Sequence, residues 1–415
     1  MTGVRSPSPV AEPGARRRGL ALGAAFLPYA MGNYGALSVL APLVDGWLHS
    51  AALVGAALLT LAVGDGLGGL LLTSRLHRWS YRGAMVTSMT VAGAALAVLA
   101  SAPPAAVTIG ALAVTGVGGS VYGILGRTFV AETTSAAKDR HRVFSAVQVA
   151  VCIGAAAGPA LFGLLLTLGR PRLVFVVGGA LYCTAGLILA ALMRDRRRPG
   201  RVATRWPVSR ESMVRLARSP VAVRILCLVA VGSALDRQFY SAFALSAGGV
   251  VDANQRASLF WVNALLVAAL QVPVSRVVEP LLGRPGRMVA TMGAGVMLFA
   301  LALSVMGLAP LCFMTLMLVV VVFSIAETVY TPTVSTAVAQ LPAGSVLEAF
   351  GVRQIVWTAG GGLGVLLGGT VYLSTTRSHP EYLYWLVLAG LALAAASALV
   401  GWQAIASRGD PSGQR

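Results

Sequence analysis

Runs of about 20 apolar residues recur along the chain, and each is long enough to cross the hydrocarbon core of a bilayer. Of the 415 residues, 57% are hydrophobic and only 11% are charged, which is too little charge to cover the surface of a soluble protein. The residue-by-residue alternation typical of membrane barrel strands is absent from the sequence. The pattern therefore predicts an all-α polytopic membrane protein.

We predict twelve transmembrane helices in two pseudo-symmetric bundles of six. Most connections between the apolar runs are short, but residues 194–220 carry nine arginines, and we place the boundary between the bundles there. The predicted organisation is an N-terminal cytoplasmic tail (1–19), a first bundle (20–193), a basic cytoplasmic linker (194–220), a second bundle (221–406) and a C-terminal cytoplasmic tail (407–415). Spans 1 to 12 are 20–44, 51–74, 83–102, 105–130, 143–168, 172–193, 221–246, 257–279, 287–308, 310–339, 349–373 and 382–406.

The formal net charge of +18 is distributed unevenly among the loops. One set of loops holds Arg75, Arg78, Arg82, Lys138, Arg140, Arg142, Arg276, Arg284 and Arg287, and we place the linker and the N-terminal tail, with Arg5, Arg16, Arg17 and Arg18, on the same side. The opposite loops hold only Arg170, Arg172, Arg256 and Arg377. Basic loops face the cytoplasm, so both termini are expected there, in a cell-membrane protein. The positive charge thus indicates topology, and we predict no nucleic-acid partner.

An internal repeat relates span 5 to span 11. FSAVQVAVCIGAAAGPALFG aligns with FGVRQIVWTAGGGLGVLLGG at a constant offset, with Pro159 opposite Val365. The matched pairs are Phe144 with Phe350, Gln148 with Gln354, Gly154 with Gly360, Gly158 with Gly364, and Gly163 with Gly369. Glycines let membrane helices approach closely, so we predict one packing face used twice, as in transporters built of parallel repeats. The proline predicts a bend or tight contact in span 5 that span 11 lacks.

Three segments resemble the twelve-span drug:proton antiporter branch of the major facilitator superfamily. The first is the Gly-Pro signature of span 5, GAAAGP followed by Gly163, in which Ser145 and Phe162 replace two glycines of the family pattern. The second is the loop TSRLHRWSYRG, where Arg78 and Arg82 match the family's basic gating positions and His77 replaces its acid. The third comprises NALLVAALQVPVSR in span 8 and SIAETVYTPTVSTAVAQLP in span 10.

The resemblance implies a single polypeptide that works by alternating access around a central cavity between its halves. It also implies export of a small molecule driven by proton entry. Arg127 resembles the span 4 arginine that is proposed to influence proton transfer in this branch. The alternative for Arg127 is a side chain that snorkels to the cytoplasmic end of its helix.

Three acids lie inside apolar runs, where ionisable groups are costly and mark functional sites by default. Asp65 in span 2, Asp236 in span 7 and Glu327 in span 10 are the candidate proton-coupling groups. Arg237 follows Asp236 directly, but neighbours on a helix point about 100° apart and need not pair. The alternative for each acid is a structural role in hydrogen bonding between helices.

Amides, aromatics and one arginine are candidates for the substrate cavity: Asn33, Tyr34, Tyr122, Gln148, Arg237, Asn263, Gln354 and Trp357. Such a cavity suits amphipathic solutes, cationic ones included, whereas helix packing or lipid contact is the alternative for each residue. Arg353 lies near the start of span 11, which is compatible with a position at the membrane interface. The linker segment RESMVRLARS is compatible with an amphipathic helix on the membrane surface or with a solvated linker.

The predicted function is proton-coupled efflux of small amphipathic molecules, with protons, a small-molecule substrate and the bilayer as partners and a monomer as the acting form. The sequence lacks a Walker-type phosphate loop and an HExxH pair, and we predict no catalytic role, no cofactor and no metal. A proton-coupled importer of a nutrient such as a sugar or an organic acid is the nearest alternative. A transport-inactive sensor or a membrane-embedded enzyme is the alternative of another class.

Overall fold

The computed structural model describes residues 13–76, 78–134, 136–193, 208–282 and 285–408, and its secondary-structure elements in these ranges are helical. The α-helices are α1 (Pro13–Leu48), α2 (Ala51–Val63), α3 (Gly69–Leu76), α4 (Tyr81–Val98), α5 (Ala105–Thr133), α6 (Ala137–Thr167), α7 (Pro171–Leu192), α8 (Arg210–Arg218), α9 (Pro220–Tyr240), α10 (Ala242–Val250), α11 (Ala253–Val278), α12 (Pro285–Leu308), α13 (Phe313–Val338), α14 (Val346–Leu366), α15 (Tyr372–Ser378) and α16 (Glu381–Arg408). Short 3₁₀ turns cover Leu99–Ser101 and Glu279–Leu281, and π-helical segments cover Gly64–Gly68 and Leu367–Val371.

Eight helices in the described ranges are long and apolar enough to cross a membrane. A ninth is added if α8 and the segment Pro220–Val250 are counted as one bent span. The twelve intervals expected from the sequence fall almost entirely on helical structure, but several are interrupted. The π-helical segments divide two of them, which shortens the continuous α-helix. The membrane-protein class is therefore confirmed, and the count of twelve stays a prediction.

The helices form two halves that share four of their main helix pairs. In the first half α6 packs on α1, α4 packs on α5 and α7, and α2 packs on α5. The second half repeats these pairs in the same order, as α14 on α9, α12 on α13 and α16, and α11 on α13. Equivalent helices thus occupy equivalent places, as a parallel repeat requires.

The glycines of the first repeat bring α6 against the backbone of α1. A methyl group built on Gly154 would lie 2.8 Å from the carbonyl oxygen of Leu27. A methyl group on Gly158 would collide with the carbonyl oxygen of Met31 and lie 2.9 Å from the amide nitrogen of Gly35. The two helices can approach this closely only because neither glycine carries a side chain.

The second copy repeats the contact on α14 and α9. Methyl groups on Gly360 and Gly364 would collide with the carbonyl oxygens of Ala230 and Ala234, which are four residues apart like the carbonyl oxygens met in the first half. The packing face inferred from the sequence repeat is therefore present in both halves for these two glycine pairs.

The third pair of glycines does not extend the packing face in the same way. Gly163 has open space within 4 Å of a built methyl group, so the predicted packing role is corrected at this position. Gly369 lies in the π-helical segment of the second half, and the surroundings of its side-chain position lie outside the description. Pro159 lies inside the uninterrupted α6, whereas the matching stretch after α14 changes to π-helix. The bend or tight contact expected at Pro159 stays a prediction, and the change in backbone hydrogen bonding lies near the end of span 11.

The end of the linker forms a short helix attached to the second half. Residues 194–207 lie outside the described ranges, and α8 meets the following helix at 97°. The hydroxyl of Ser209 donates to the carboxylate of Glu348 at 3.0 Å, and the hydroxyl of Ser212 donates to the same carboxylate. The amide of Gly344 donates to Ser212 Oγ at 2.7 Å. These bonds fix α8 to the start of α14.

Replacing Gly158 with alanine should lower the thermal stability of the purified protein, because the added methyl group forces α1 and α6 apart. Overpacking of this kind costs about 1–3 kcal/mol. The matched control is Gly163→Ala on the same helix, where an added methyl group has room. Alanine there has a helix propensity about 1 kcal/mol more favourable than that of glycine, so this variant should not be destabilised. Thermal unfolding in detergent compares the variants, and equal melting temperatures would contradict the packing face.

Candidate functional site

The two halves meet mainly along one seam. On one side α6 packs against α11 and α13, and on the other α14 packs against α3, α5 and the segment Gly64–Gly68. The other end of the span that contains α14, which comprises Leu367–Val371 and α15, packs against α10 and α16 within its own half. The described contacts therefore join the halves along this seam, whereas the far end of the α14 span contacts its own half.

A hydrogen bond between the halves lies in the interior of this seam. Gln148 Nε2 of α6 donates to Glu327 Oε1 of α13 at 3.1 Å, and it also lies 3.5 Å from Cys152 Sγ. Asn263 of α11 lies beside the same carboxyl group and donates to Ser324 Oγ at 3.0 Å. The acid of one half is thus held by an amide of the other.

A second acid lies close to Glu327. Asp236 of α9 is near enough to interact electrostatically with Glu327, and Arg237 Nε lies 3.9 Å from Asp236 Oδ2. The two neighbours on the helix therefore do pair, since the long arginine side chain reaches back to the carboxylate. Tyr34 of α1, which is 37% exposed, interacts electrostatically with both acids and with Arg237. Residues of both halves contribute to this cluster.

The third acid occupies the π-helical segment of the first half. Asp65 is exposed, and it lies within electrostatic range of Arg237 of the other half and of Arg127. A methyl group on Gly66 would lie 3.0 Å from the side chain of Thr358, which shows that this segment contacts α14. Asp65 and Arg237 thus lie within electrostatic range of each other across the seam.

Arg127 points into the molecule and away from the nearest end of its helix. Its Nη1 donates to the carbonyl oxygen of Gly123 at 3.0 Å, one turn earlier in α5, whereas the helix ends at Thr133. A snorkelling arginine would extend in the opposite direction. The half-buried side chain instead lies in electrostatic reach of Asp65 and Tyr34.

Arg353 is buried and does not occupy the interface expected from the sequence. It is 3% exposed, and its guanidinium carbon lies 4.8 Å from the centre of the Trp357 ring. Its Nε has no hydrogen-bond partner in the described part of the chain. Gln354 and Trp357 are half-buried beside it. Sequence position near a helix start suggested exposure, but α14 is covered there by the first half.

A polar network that the sequence reasoning missed joins the halves at one end of the seam. Ser145 and Ser275 share a hydrogen bond of 2.6 Å between their hydroxyl oxygens. Further along, Arg142 Nε donates to Glu279 Oε1 at 2.6 Å, and Lys138 Nζ lies 3.7 Å from Glu279 Oε2. We call this end of the molecule the basic end. The available signal was Glu279 itself, an acid within a connection otherwise rich in arginine.

Other predicted cavity residues are used in packing within the first half. Tyr122 is fully buried, with its ring centre 4.4 Å from that of Phe26 and 5.0 Å from that of Tyr29, so it does not line an open cavity. Asn33 Oδ1 accepts a hydrogen bond from the hydroxyl of Tyr182 at 3.1 Å.

The predicted gating loop is not brought to this cluster by any contact that the structure describes. Arg78 is exposed in the turn before α4, and Arg82 is half-buried in the first turn of that helix. His77 lies outside the described residues. The gating role of the two arginines stays a prediction.

Comparison with solved structures finds the same fold in known transporters. The chain is similar to the crystal structure of the human organic anion transporter MFSD10 (TETRAN), with a TM-score of 0.72 and 16% identity over 94% of this chain and 100% of that chain. It is also similar to an auto-inhibited POT family peptide transporter, with a TM-score of 0.62 and 15% identity over 94% of this chain and 96% of that chain. Identities this low show a shared fold.

Comparison with known sequences gives one family. A search of curated proteins finds no significant match. The family model of the Major Facilitator Superfamily matches residues 21–336, which is well over half of the chain and includes helices of both halves. On this match, and with the repeated two-half fold described above, the chain belongs to the Major Facilitator Superfamily.

Proposed function

We propose that this protein is a twelve-span, proton-coupled transporter that exports small amphipathic molecules by alternating access. The observation that carries the proposal is the hydrogen bond from Gln148 to Glu327, because it joins a titratable group of one half to the other half. A carboxylate accepts this bond more strongly than a protonated carboxyl group does. Protonation of Glu327 would therefore weaken the connection and favour rearrangement of the halves.

The basic end is proposed to face the cytoplasm, with both termini on that side, because basic loops favour this orientation. The described seam is closed at this end by Arg142, Lys138 and Glu279. In this assignment the seam is closed toward the cytoplasm, and protons would reach Asp236 and Glu327 from the outer side. Asp65 and Arg127 would act on the same cycle, since their charges face the seam.

Export is favoured over import by the sequence resemblance of span 5 to antiporters. The direction of transport can be measured by comparing two preparations of opposite membrane orientation, inside-out membrane vesicles and intact cells. An exporter accumulates its solute in energised inside-out vesicles, and an importer accumulates it in intact cells. Solute flux in proteoliposomes of the purified protein would in turn exclude a sensor or an enzyme without transport.

Glu327→Gln should abolish proton-driven efflux and spare solute counterflow. Glutamine keeps the size of the side chain and still offers a carbonyl oxygen to Gln148, but it cannot titrate. In reconstituted vesicles with an imposed pH gradient, efflux by this variant should therefore equal that of vesicles without protein. Exchange of labelled for unlabelled solute should continue. The control is Glu211→Gln, which changes an exposed acid on α8. Normal proton-driven efflux by Glu327→Gln would exclude this acid as the coupling group.

Loss of the Glu279 carboxylate should open the basic end. A cysteine placed at the buried position Ser145 reports opening, in a background without the four natural cysteines. Glu279→Gln should increase the rate of its modification by a water-soluble thiol reagent severalfold, because Arg142 and Lys138 lose their partner in the other half.

The matched control for this experiment is Asp139→Asn. Asp139 contacts the same Arg142 at 3.6 Å but lies in the same half, so its loss should leave the modification rate near that of the parent. An unchanged rate in Glu279→Gln would show that this ion pair does not hold the halves together.

A further inference from the structure

Two arginines from different halves converge on the seam near the basic end. Arg127 lies six residues before the end of α5, and Arg353 lies seven residues after the start of α14. At 1.5 Å per residue, both are about 10 Å inside their helix ends. The two helices pack against each other, and the guanidinium groups are close enough to interact electrostatically.

This arrangement is costly as it stands. Like charges repel more strongly inside a protein than in water, and a buried charged group without full hydrogen bonding carries a desolvation penalty. Arg127 uses one nitrogen on a carbonyl oxygen of its own helix, and Arg353 has a buried Nε without a partner in the described part of the chain. Its electrostatic neighbours are Arg127 and Tyr330, so the surroundings described for it include no carboxylate.

We propose that Arg353 and Arg127 bind the carboxylate group of an aromatic solute when the halves separate at the basic end. A planar guanidinium group matches a carboxylate with two parallel hydrogen bonds, and two such groups on facing helices can bind it from both sides. Trp357, half-buried against Arg353, offers an aromatic face for the rest of the solute. The inference rests on the proposed transport function and assigns its substrate as an organic anion.

The chain provides a comparison for a purely structural role of Arg353. Arg224 is also buried, at 1% exposure, and its guanidinium carbon lies 4.1 Å from the ring centre of Trp402. It thus shares the contact between a cation and an aromatic ring, but it lies on α9 against α16, within one half. Removing either arginine affects packing, whereas only Arg353 should affect anion binding.

Binding is measured as thermal stabilisation of the purified full chain in detergent. The measured quantity is the temperature at which half of the monodisperse protein is lost on heating. The probes are 1-naphthoate, the neutral 1-naphthamide, the cationic 1-naphthylmethylammonium and chloride. Naphthoate alone should raise this temperature in a concentration-dependent way. Arg353→Gln should bind naphthoate at least about tenfold more weakly, since charge-assisted hydrogen bonds are lost. Arg127→Gln should weaken binding in the same direction, and Arg224→Gln should bind like the parent.

Several outcomes would overturn the proposal. Equal stabilisation by naphthamide would show that the carboxylate is not recognised, and equal stabilisation by chloride would show a site for small inorganic anions. Unchanged binding in Arg353→Gln would remove that residue from the site. If Arg353→Gln does not fold, Arg353→Lys keeps the charge and should lose only part of the affinity, whereas parental affinity in it would contradict two-point recognition.

The result is separable from the proposed coupling mechanism because binding needs no proton gradient. Lost naphthoate binding together with normal proton-driven transport would exclude the anion site only. Intact binding together with transport that ignores the pH gradient would exclude proton coupling only.

Discussion

Polar groups in the interior of this protein need hydrogen-bond partners, and those at the seam find them on helices of the other half, whereas many hydroxyls bond to a carbonyl oxygen of their own helix. The reason is the low dielectric of the interior, where an unpaired charge or hydrogen-bonding group costs far more than in water. The bond between Gln148 and Glu327 is the central case, because its two members belong to different halves. Separating the halves would break it, so any movement must supply a substitute such as water, a proton or a solute. The polar residues of the seam therefore determine which rearrangements of the two halves are accessible.

The close apolar contacts within each half limit which parts of the molecule can move. Within each half, glycines allow α1 against α6 and α9 against α14 to touch backbone to backbone, and such contacts do not deform gradually. Each half should therefore move as a rigid body, with change concentrated where side chains rather than backbones meet. The π-helical segments at Gly64–Gly68 and Leu367–Val371 are the exceptions, because their looser hydrogen bonding permits local adjustment.

The sequence was sufficient for the membrane class, the repeated glycine face and the acids of the seam, because each of these follows from local composition or from register. It placed Asp236 and Glu327 in apolar helices, and their proximity then follows from the fold. It was not sufficient for Arg353 or Arg127, since the burial of the first and the direction of the second depend on a helix from elsewhere in the chain. Glu279 was missed for the same reason, as its partner Arg142 lies in the other half.

The attachment of α8 to α14 has a mechanical consequence for the linker. Since Ser209 and Ser212 bind Glu348, the tether between the halves is reduced to the 14 residues from 194 to 207. The helix α8 would therefore move with the second half as part of the same body. In the described ranges the contacts between the halves lie at the seam, so the movement of one half would be coordinated with the other through the same few polar contacts that close it.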